Sequence, residues 1–581
     1  MYIEKIDSPR DLKTLNLGEL ALLSDEIREA IMKKVSACGG HLASNLGVVE
    51  LTVALHYVFD APRDKFVFDV SHQTYCHKIL TGRKDAFLCE DKYKMVTGLS
   101  NPRESEYDLF AIGHTSTSVS LACGLAKARD LQGGTENVLA VIGDASLDGG
   151  EAFEALNCAC ELNSGLIVVI NDNEMSIPEN HGALGRYLTE LRKSHGKCAD
   201  NFFRSIGFEY RLVENGNDIS ALIDEFSQVK DTDHPVVVHV CTQKGKGYEF
   251  AENDKEKWHW ARPFDRNSGE FLKSVPKENY GSIVAEHLLD RISNDPKLIV
   301  IAASTPVCIG FDRDKRERAG KQYIDLGIAE QNAVTMAAAI AKGGCRPVFA
   351  TNSTFIQRVY DQIEQEMCIN QCPATMIITR ESVFGHFNDT HAGLYDIPLL
   401  GNLPGLMYLA PSNKEEYLSM LDWSIRQDSV PVAIRVPWTG VTYADFTVPD
   451  DYSVPAYRTA VSGRKVCFVA LGGFFELGRR AAALYAERTG IQPTLIYPMF
   501  ISGLDVETLD ALTSDHDTVV TLGDGILDGG FGSKIAGYYS DKHMKVIRFG
   551  FSGEIPRVYD PNELMRRNNL TEQQIVDALL N

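Results

Sequence analysis

Residues 138–177 read VLAVIGDASLDGGEAFEALNCACELNSGLIVVINDNEMSI, and their grammar is strand, turn, helix, strand, turn. Residues 138–142 are a short apolar run of strand type, broken by Gly143-Asp144, after which Phe153, Leu156, Ala159 and Leu162 recur at helical spacing. A second run of β type, residues 166–170, ends in Asn171-Asp172-Asn173. Strands alternating with helices predict a parallel sheet, whose ligands bind where strand carboxyl ends open on a crevice. Asp144 and the Asn173 amide are therefore expected to face one crevice.

Magnesium takes near-octahedral oxygen ligation and combines one or two protein groups with phosphate oxygens and water. Asp144, the Asn173 amide oxygen and a nearby backbone carbonyl, with Met175 the candidate, suit a magnesium diphosphate; manganese would fit the same ligands. The helix that follows Asp148-Gly149-Gly150 would aim its N–H groups at the same anion. A Gly-Asp turn occurs in many α/β folds, but GD, helix and NDN in this order form a far more specific combination. It resembles the thiamine-diphosphate motif of transketolase-like enzymes. The words NDNEMSI and GHTSTS (residues 113–118) resemble one branch of them, the 1-deoxy-D-xylulose-5-phosphate synthases.

Totals bound the alternatives. A chain of 581 residues exceeds a single core and predicts about three domains. A net charge of −21 repels nucleic acid and anionic membrane, so neither is an expected partner, and an anionic substrate needs a local positive cluster. Thirteen cysteines without a CxxC pair read as reduced thiols. The first residues, MYIEKIDSPRDLKTLN, lack signal or transit character, and no run approaches a membrane span, so a cytoplasmic location is expected.

The resemblance extends along most of the chain. Residues 39–47, GGHLASNLG, are a small-residue loop that in these synthases brings a histidine, here His41, beside the cofactor's reactive carbon. FVFDVSHQTYCHKILTGR (residues 66–83) matches the family's D-V-G-H-Q segment with Ser71 in place of glycine, so His72 is expected near the diphosphate, while His77 can be structural. The GHTSTS turn offers converging N–H groups and hydroxyls, which suits an anion and makes His114 and Thr115 diphosphate contacts. The turn residues Ala145 and Ser146 join that set, as does Lys244 of TQKGKGYE (residues 242–249); His259, between Trp258 and Trp260, matches the family's active-site histidine.

Residues 263–280 are polar and rich in turn formers and read as a linker. In YIDLGIAEQ (residues 323–331) Glu330 stands where a strand gives way to a helix. A carboxylate in a first helical turn is ordinarily favourable to the helix dipole. The I-A-E-Q phrase instead implies a catalytic acid, a buried carboxyl sharing a proton with the cofactor's aminopyrimidine. Phe355, in STFIQRVYDQ (residues 353–362), is expected to lie under that ring. Arg380 and Arg435 stand at predicted strand ends, and the resemblance assigns both to a substrate phosphate. His391 joins His41 and His259 as a candidate for proton transfers.

Five departures stand out. After residue 183 the long variable segment of these synthases is shortened, and their D-G-H-D becomes Asn215-Gly216-Asn217-Asp218. Phe387 replaces an aspartate placed for an acceptor hydroxyl, with His386 or Asp389 the available substitutes. Asn352 replaces a tyrosine, and Arg435-Val436-Pro437-Trp438 replaces R-Y-P-R. Gly523-Asp524-Gly525 has no asparagine at a matching distance and reads as a turn in a structural domain.

The resemblance thus implies an α/β fold of three domains: a diphosphate-binding domain over residues 1–275, a pyrimidine-binding domain over 276–452 and a transketolase-type C-terminal domain over 453–581. It implies a homodimer that uses thiamine diphosphate and Mg2+ to decarboxylate pyruvate and condense the remainder with glyceraldehyde 3-phosphate, on the route to isoprenoid precursors. Phe387, Asn352 and Trp438 keep open a related ketol transferase or acyloin synthase with another phosphorylated aldehyde or sugar. A catalytically dead scaffold is disfavoured by retention of Asp144, Asn173 and Glu330 together.

Overall fold

The computed structural model describes residues 1–273, 276, 278–385, 388–554 and 560–581. They form two compact units, Met1–Val275 with Gly327–Ala329, and Pro276–Leu326 with Glu330–Asn581.

The first unit is built on five strands: β1 (Lys65–Phe68), β2 (Val138–Gly143), β3 (Leu166–Asp172), β4 (Glu209–Val213) and β5 (Pro235–Cys241). They lie in the order β1-β2-β3-β5-β4, all parallel. β3 is buried along its whole length, as a central strand covered by helices on both faces must be. Helices α1 (Leu17–Cys38), α2 (Ser118–Gln132), α3 (Gly150–Leu162) and α4 (Gly182–Lys193) flank the sheet. α1 starts in a capping box, Asn16 Oδ1 accepting from the Glu19 N–H and Glu19 Oε2 from the Asn16 N–H, and it buries Leu20, Leu23, Ile27, Ile31 and Val35. α3 buries Ala152, Ala155, Leu156 and Ala159. Leu156 and Ala159 of the expected stripe are thus buried, Leu162 is half-buried, and Phe153 lies at 39% exposure.

In the second unit the strands are β6 (Leu298–Ala302), β7 (Tyr323–Asp325), β8 (Arg346–Asn352), β9 (Thr375–Thr379), β10 (Met407–Leu409) and β11 (Val432–Arg435), parallel in the order β10-β11-β9-β8-β6-β7. Helix α5 (Glu330–Lys342) packs on this sheet. A further sheet holds β12 (Arg458–Val461), β13 (Lys465–Ala470), β14 (Thr494–Tyr497), β15 (His516–Ile526) and β16 (Lys545–Phe551) in the order β12-β14-β13-β15-β16. Only the edge strand β12 runs antiparallel. Gly523-Asp524-Gly525 is not the expected turn: β15 runs through it, and the register against β16 shifts between Leu522 and Ile526. Pairing with β13 ends at Leu522, and pairing with β16 resumes at Ile526, which absorbs the glycines as a bulge.

Among the described residues no helix is long and apolar enough to cross a membrane.

Candidate active site

The first unit assembles its polar centre at the carboxyl ends of β2 and β3. Asp144 follows β2 directly, is 3% exposed, and accepts a hydrogen bond from Asn180 Nδ2 at 2.7 Å. Burial, and then the adjoining Asp172 carboxylate, push its carboxyl well above the ordinary range. Two buried carboxyls side by side are an arrangement that a divalent cation stabilises. Asn173 Oδ1 accepts from the Met175 N–H at 3.2 Å, and Glu174 takes φ +65°, so the chain turns sharply beyond β3. Ala145 and Ser146 lie in a 3-10 turn (Ala145–Asp148) that separates Asp144 from α3. At Gly149 a Cβ would stand 2.1 Å from Ser116 Oγ, so only glycine lets the two turns close on each other.

The GHTSTS turn corrects one expectation. Two of its converging N–H groups, those of Ser116 and Ser118, donate to Asp69 at 2.9 and 3.0 Å, and Ser116 Oγ donates to the Ser146 carbonyl at 2.8 Å. Those donors serve to fix the turn to the ends of β1 and β2 rather than to meet an anion. His114 and Thr115, half-buried on the same turn, remain candidate diphosphate contacts. Asp69 is a further site residue, and its sequence signal, an aspartate at the end of a β run, is the same as that of Asp144.

Three imidazoles gather in this unit. Ring centroids are 5.1 Å apart for His41 and His72, 5.6 Å for His41 and His259, and 5.3 Å for His72 and His259. A two-residue ribbon, Gly40–His41 against Trp260–Ala261, brings the first and third together. Burial, with Lys244 nearby, pulls His41 down to about 4 and His259 well below its usual value, so both rings are neutral at pH 7. Burial likewise pulls Lys244 down to about 7, with Asp144 acting in the opposite direction, and its Nζ donates to the Ser176 carbonyl. His77 is structural: its Nε2 meets Asp108 at 2.9 Å and its Nδ1 meets His56 Nε2 at 2.9 Å in a buried network with Arg83. Asn217 and Asp218, which stand in the family's H-D positions, are structural too. Asn217 ties Gly47 and Glu50 to Gln243, and Asp218 caps the helix Ile219–Val229.

In the second unit Glu330 opens α5 at 4% exposure. Its Oε2 has no hydrogen-bond partner among the described residues, and the nearest charge is Arg358 Nη1 at 4.0 Å. Burial raises its carboxyl above the ordinary value, and Arg358 offsets part of that. Phe355 and His391 lie together, rings edge to face at 5.7 Å. Arg380 follows β9 with φ +54°, and Ser382 takes φ +60°, two left-handed residues in one turn. Such concentrated strain is typical of functional loops. The Arg380 guanidinium lies 5.6 Å from the Trp438 ring centroid. Asn352 Oδ1 accepts from Thr379 Oγ1 at 3.0 Å, so the residue standing in the family's tyrosine position is engaged within its own sheet. Phe387 and His386 lie outside the described residues.

Arg435 departs from the role expected of it. It is the last residue of β11 and 2% exposed. Nε donates to Asp396 Oδ2 at 2.6 Å and Nη1 to Asp524 Oδ1 at 2.5 Å, with Tyr408 Oη also on Asp396 at 2.5 Å and Glu381 close by. The guanidinium is thus engaged by one carboxylate from the short helix Asp396–Leu400 and one from β15. A buried pair that loses one partner leaves an uncompensated charge, at a cost of about 3–5 kcal/mol. Arg435→Leu should therefore lower unfolding free energy by about that amount in urea titrations. Unchanged stability with a raised KM for a phosphorylated acceptor would return Arg435 to the substrate.

A family model described as 1-deoxy-D-xylulose-5-phosphate synthase matches residues 3–199, one for the transketolase pyrimidine-binding domain matches 278–442, and one for the transketolase C-terminal domain matches 457–575. The 1-deoxy-D-xylulose-5-phosphate synthase of Caldanaerobacter subterraneus subsp. tengcongensis is 37% identical, covering 100% of this chain and 98% of that protein. Its namesake from Clostridium kluyveri is 37% identical over 98% of this chain and 97% of that protein. A solved transketolase from Campylobacter jejuni aligns with 97% of this chain and 100% of that one at 16% identity and a TM-score of 0.44. On full-length identity to these curated relatives, the chain belongs to the 1-deoxy-D-xylulose-5-phosphate synthase family, enzymes of the transketolase-like, thiamine-diphosphate type.

Proposed function

We propose that this chain makes 1-deoxy-D-xylulose 5-phosphate from pyruvate and glyceraldehyde 3-phosphate, with thiamine diphosphate as cofactor and Mg2+ seating its diphosphate. The bond between the carboxylate and keto carbons of pyruvate breaks with release of carbon dioxide. A bond then forms from that keto carbon to the aldehyde carbon, whose oxygen takes up a proton. When bound, thiamine diphosphate supplies the electron sink for this exchange. The observation that carries the reading is Glu330: a buried carboxyl with raised proton affinity and an oxygen that no described residue bonds.

The residues fit the cofactor and its metal. Asp144, Asn173 and Met175 offer the oxygen ligands that magnesium or manganese takes, and Lys244, close to Asp144, adds positive charge toward a diphosphate. Ala145, Ser146, His72, His114 and Thr115 line the turns that would hold the rest of the anion. Glu330 holds a proton for the aminopyrimidine, and Phe355 offers that ring an apolar face. His41, His259 and His391 would take and return substrate protons; the two rings of the first unit do so as neutral imidazoles. His259 Nδ1 has no hydrogen-bond partner among the described residues. Arg380 is assigned to the acceptor phosphate. A cytoplasmic homodimer completes the proposal, resting on the family resemblance.

Trp438 against Arg380 favours a second reading, in which the acceptor is another phosphorylated aldehyde. Incubation with pyruvate, thiamine diphosphate, Mg2+ and a panel of phosphorylated aldehydes, with mass identification of the products, separates the two. Deoxyxylulose phosphate as main product supports the first reading, and a different phosphorylated ketose as main product replaces it. Phe387→Asp, which restores the family's residue, should raise kcat/KM for glyceraldehyde 3-phosphate; an unchanged or lower value would show that the substitution does not set acceptor use.

A further inference from the structure

Asp172, the last residue of β3, is 1% exposed and joins four elements at one carboxylate. Its Oδ2 accepts from His239 Nε2 of β5 at 2.8 Å and lies 3.3 Å from Arg192 Nε of α4. His239 Nδ1 accepts in turn from Tyr210 Oη of β4 at 2.7 Å, which fixes the tautomer that donates to Asp172. Arg192 also pairs through Nη2 with Glu174 and Thr189 Oγ1. Gly143 pairs with Asn171 across β2 and β3 and the Asp144 N–H donates to the Asn171 carbonyl at 3.1 Å, which sets the Asp144 carboxyl beside that of Asp172. Asp172, His239 and Cys241 have the mutual spacing of a metal-ligand group, but the Arg192 guanidinium already supplies the positive charge at that position. What remains is a cation behind two carboxyls, only one of which, Asp144, precedes the turn into α3.

We propose that Arg192 and His239 are positioning residues for the cofactor's metal: they hold Asp172 in place against Asp144 and so fix the carboxyl that ligates Mg2+. The physical reason is repulsion. Two neighbouring carboxylates in a buried site push apart, and a guanidinium behind one of them offsets this without occupying the metal's position. Arg192 comes from α4, in the segment that is shortened relative to the family's sequences, so the short chain there has a task of its own. The inference rests on the Mg2+ site proposed above.

Outer-shell partners of metal ligands typically change metal affinity by about 10–100-fold. Arg192→Gln in the full-length protein should therefore raise the Kd for Mg2+ by about 10–100-fold, measured by circular-dichroism titration at saturating thiamine diphosphate. Arg192→Lys, which keeps the charge, should recover part of that loss. Melting temperature at saturating Mg2+ serves as the control, because a residue with only a packing role would lower it and leave the Kd unchanged. A folded Arg192→Gln protein with wild-type Mg2+ affinity, or a lowered melting temperature with that affinity intact, would overturn the inference. If the wild-type protein itself bound thiamine diphosphate without Mg2+ dependence, the metal site would fall first, and this inference with it.

Discussion

Glu330→Gln is expected to lower kcat by about 10²–10⁴-fold, the range attributed to a positioned acid or base, while Mg2+ and thiamine diphosphate still bind. Gln keeps the size of the side chain and a hydrogen-bond donor but cannot release a proton. The position suits the test because the carboxyl is buried, its proton affinity is raised, and Arg358 at 4.0 Å stops short of a close ion pair. Two readouts separate the proton-transfer role from a packing role: steady-state turnover, and deuterium exchange at the reactive carbon of the bound cofactor followed by NMR. Both should fall together. A kcat within tenfold of wild type, in a protein saturated with cofactor, would remove Glu330 from the mechanism.

Asp144→Asn is expected to weaken Mg2+ binding by more than about 100-fold, beyond what an outer-shell change produces. The same carboxyl gives a pH dependence. Because burial and Asp172 raise its pKa, the metal-free protein holds this proton to higher pH than an ordinary carboxyl would. Mg2+ must displace it, so affinity should fall as pH is lowered, with protons released on binding. Isothermal titration in two buffers of different ionisation enthalpy measures that release. Affinity independent of pH, or an Asp144→Asn protein that binds Mg2+ normally, would place the metal elsewhere.

What the sequence makes legible, and what it hides, follows from the range of the interactions. Strand, turn and helix signals are local, so the βαβ unit around Asp144 and the placement of Glu330 at the head of α5 can be read directly. The short β3 signal ends early because Asn171 and Asp172 are polar, yet pairing with β2 and β5 extends the strand through both. Pairing in space also overrides composition at Gly523-Asp524-Gly525, where pairing with β16 at Leu522 and again at Ile526 carries the strand through. Arg435 misleads for the same reason: the partners that capture it are 39 and 89 positions away, and neither Asp396 nor Asp524 carries a local signal. Asp69 is hidden differently: its partners sit in a turn whose N–H groups suit an anion equally well. Arg192 lies in a segment without a recognisable word, and only the fold brings it to Asp172.

Carbon dioxide release from pyruvate, measured with purified protein, Mg2+ and thiamine diphosphate, with and without glyceraldehyde 3-phosphate, tests the central claim most directly. Release stimulated by the aldehyde, with deoxyxylulose phosphate accumulating in equal amount, is the predicted result. Absence of release from protein shown to hold the cofactor would contradict it.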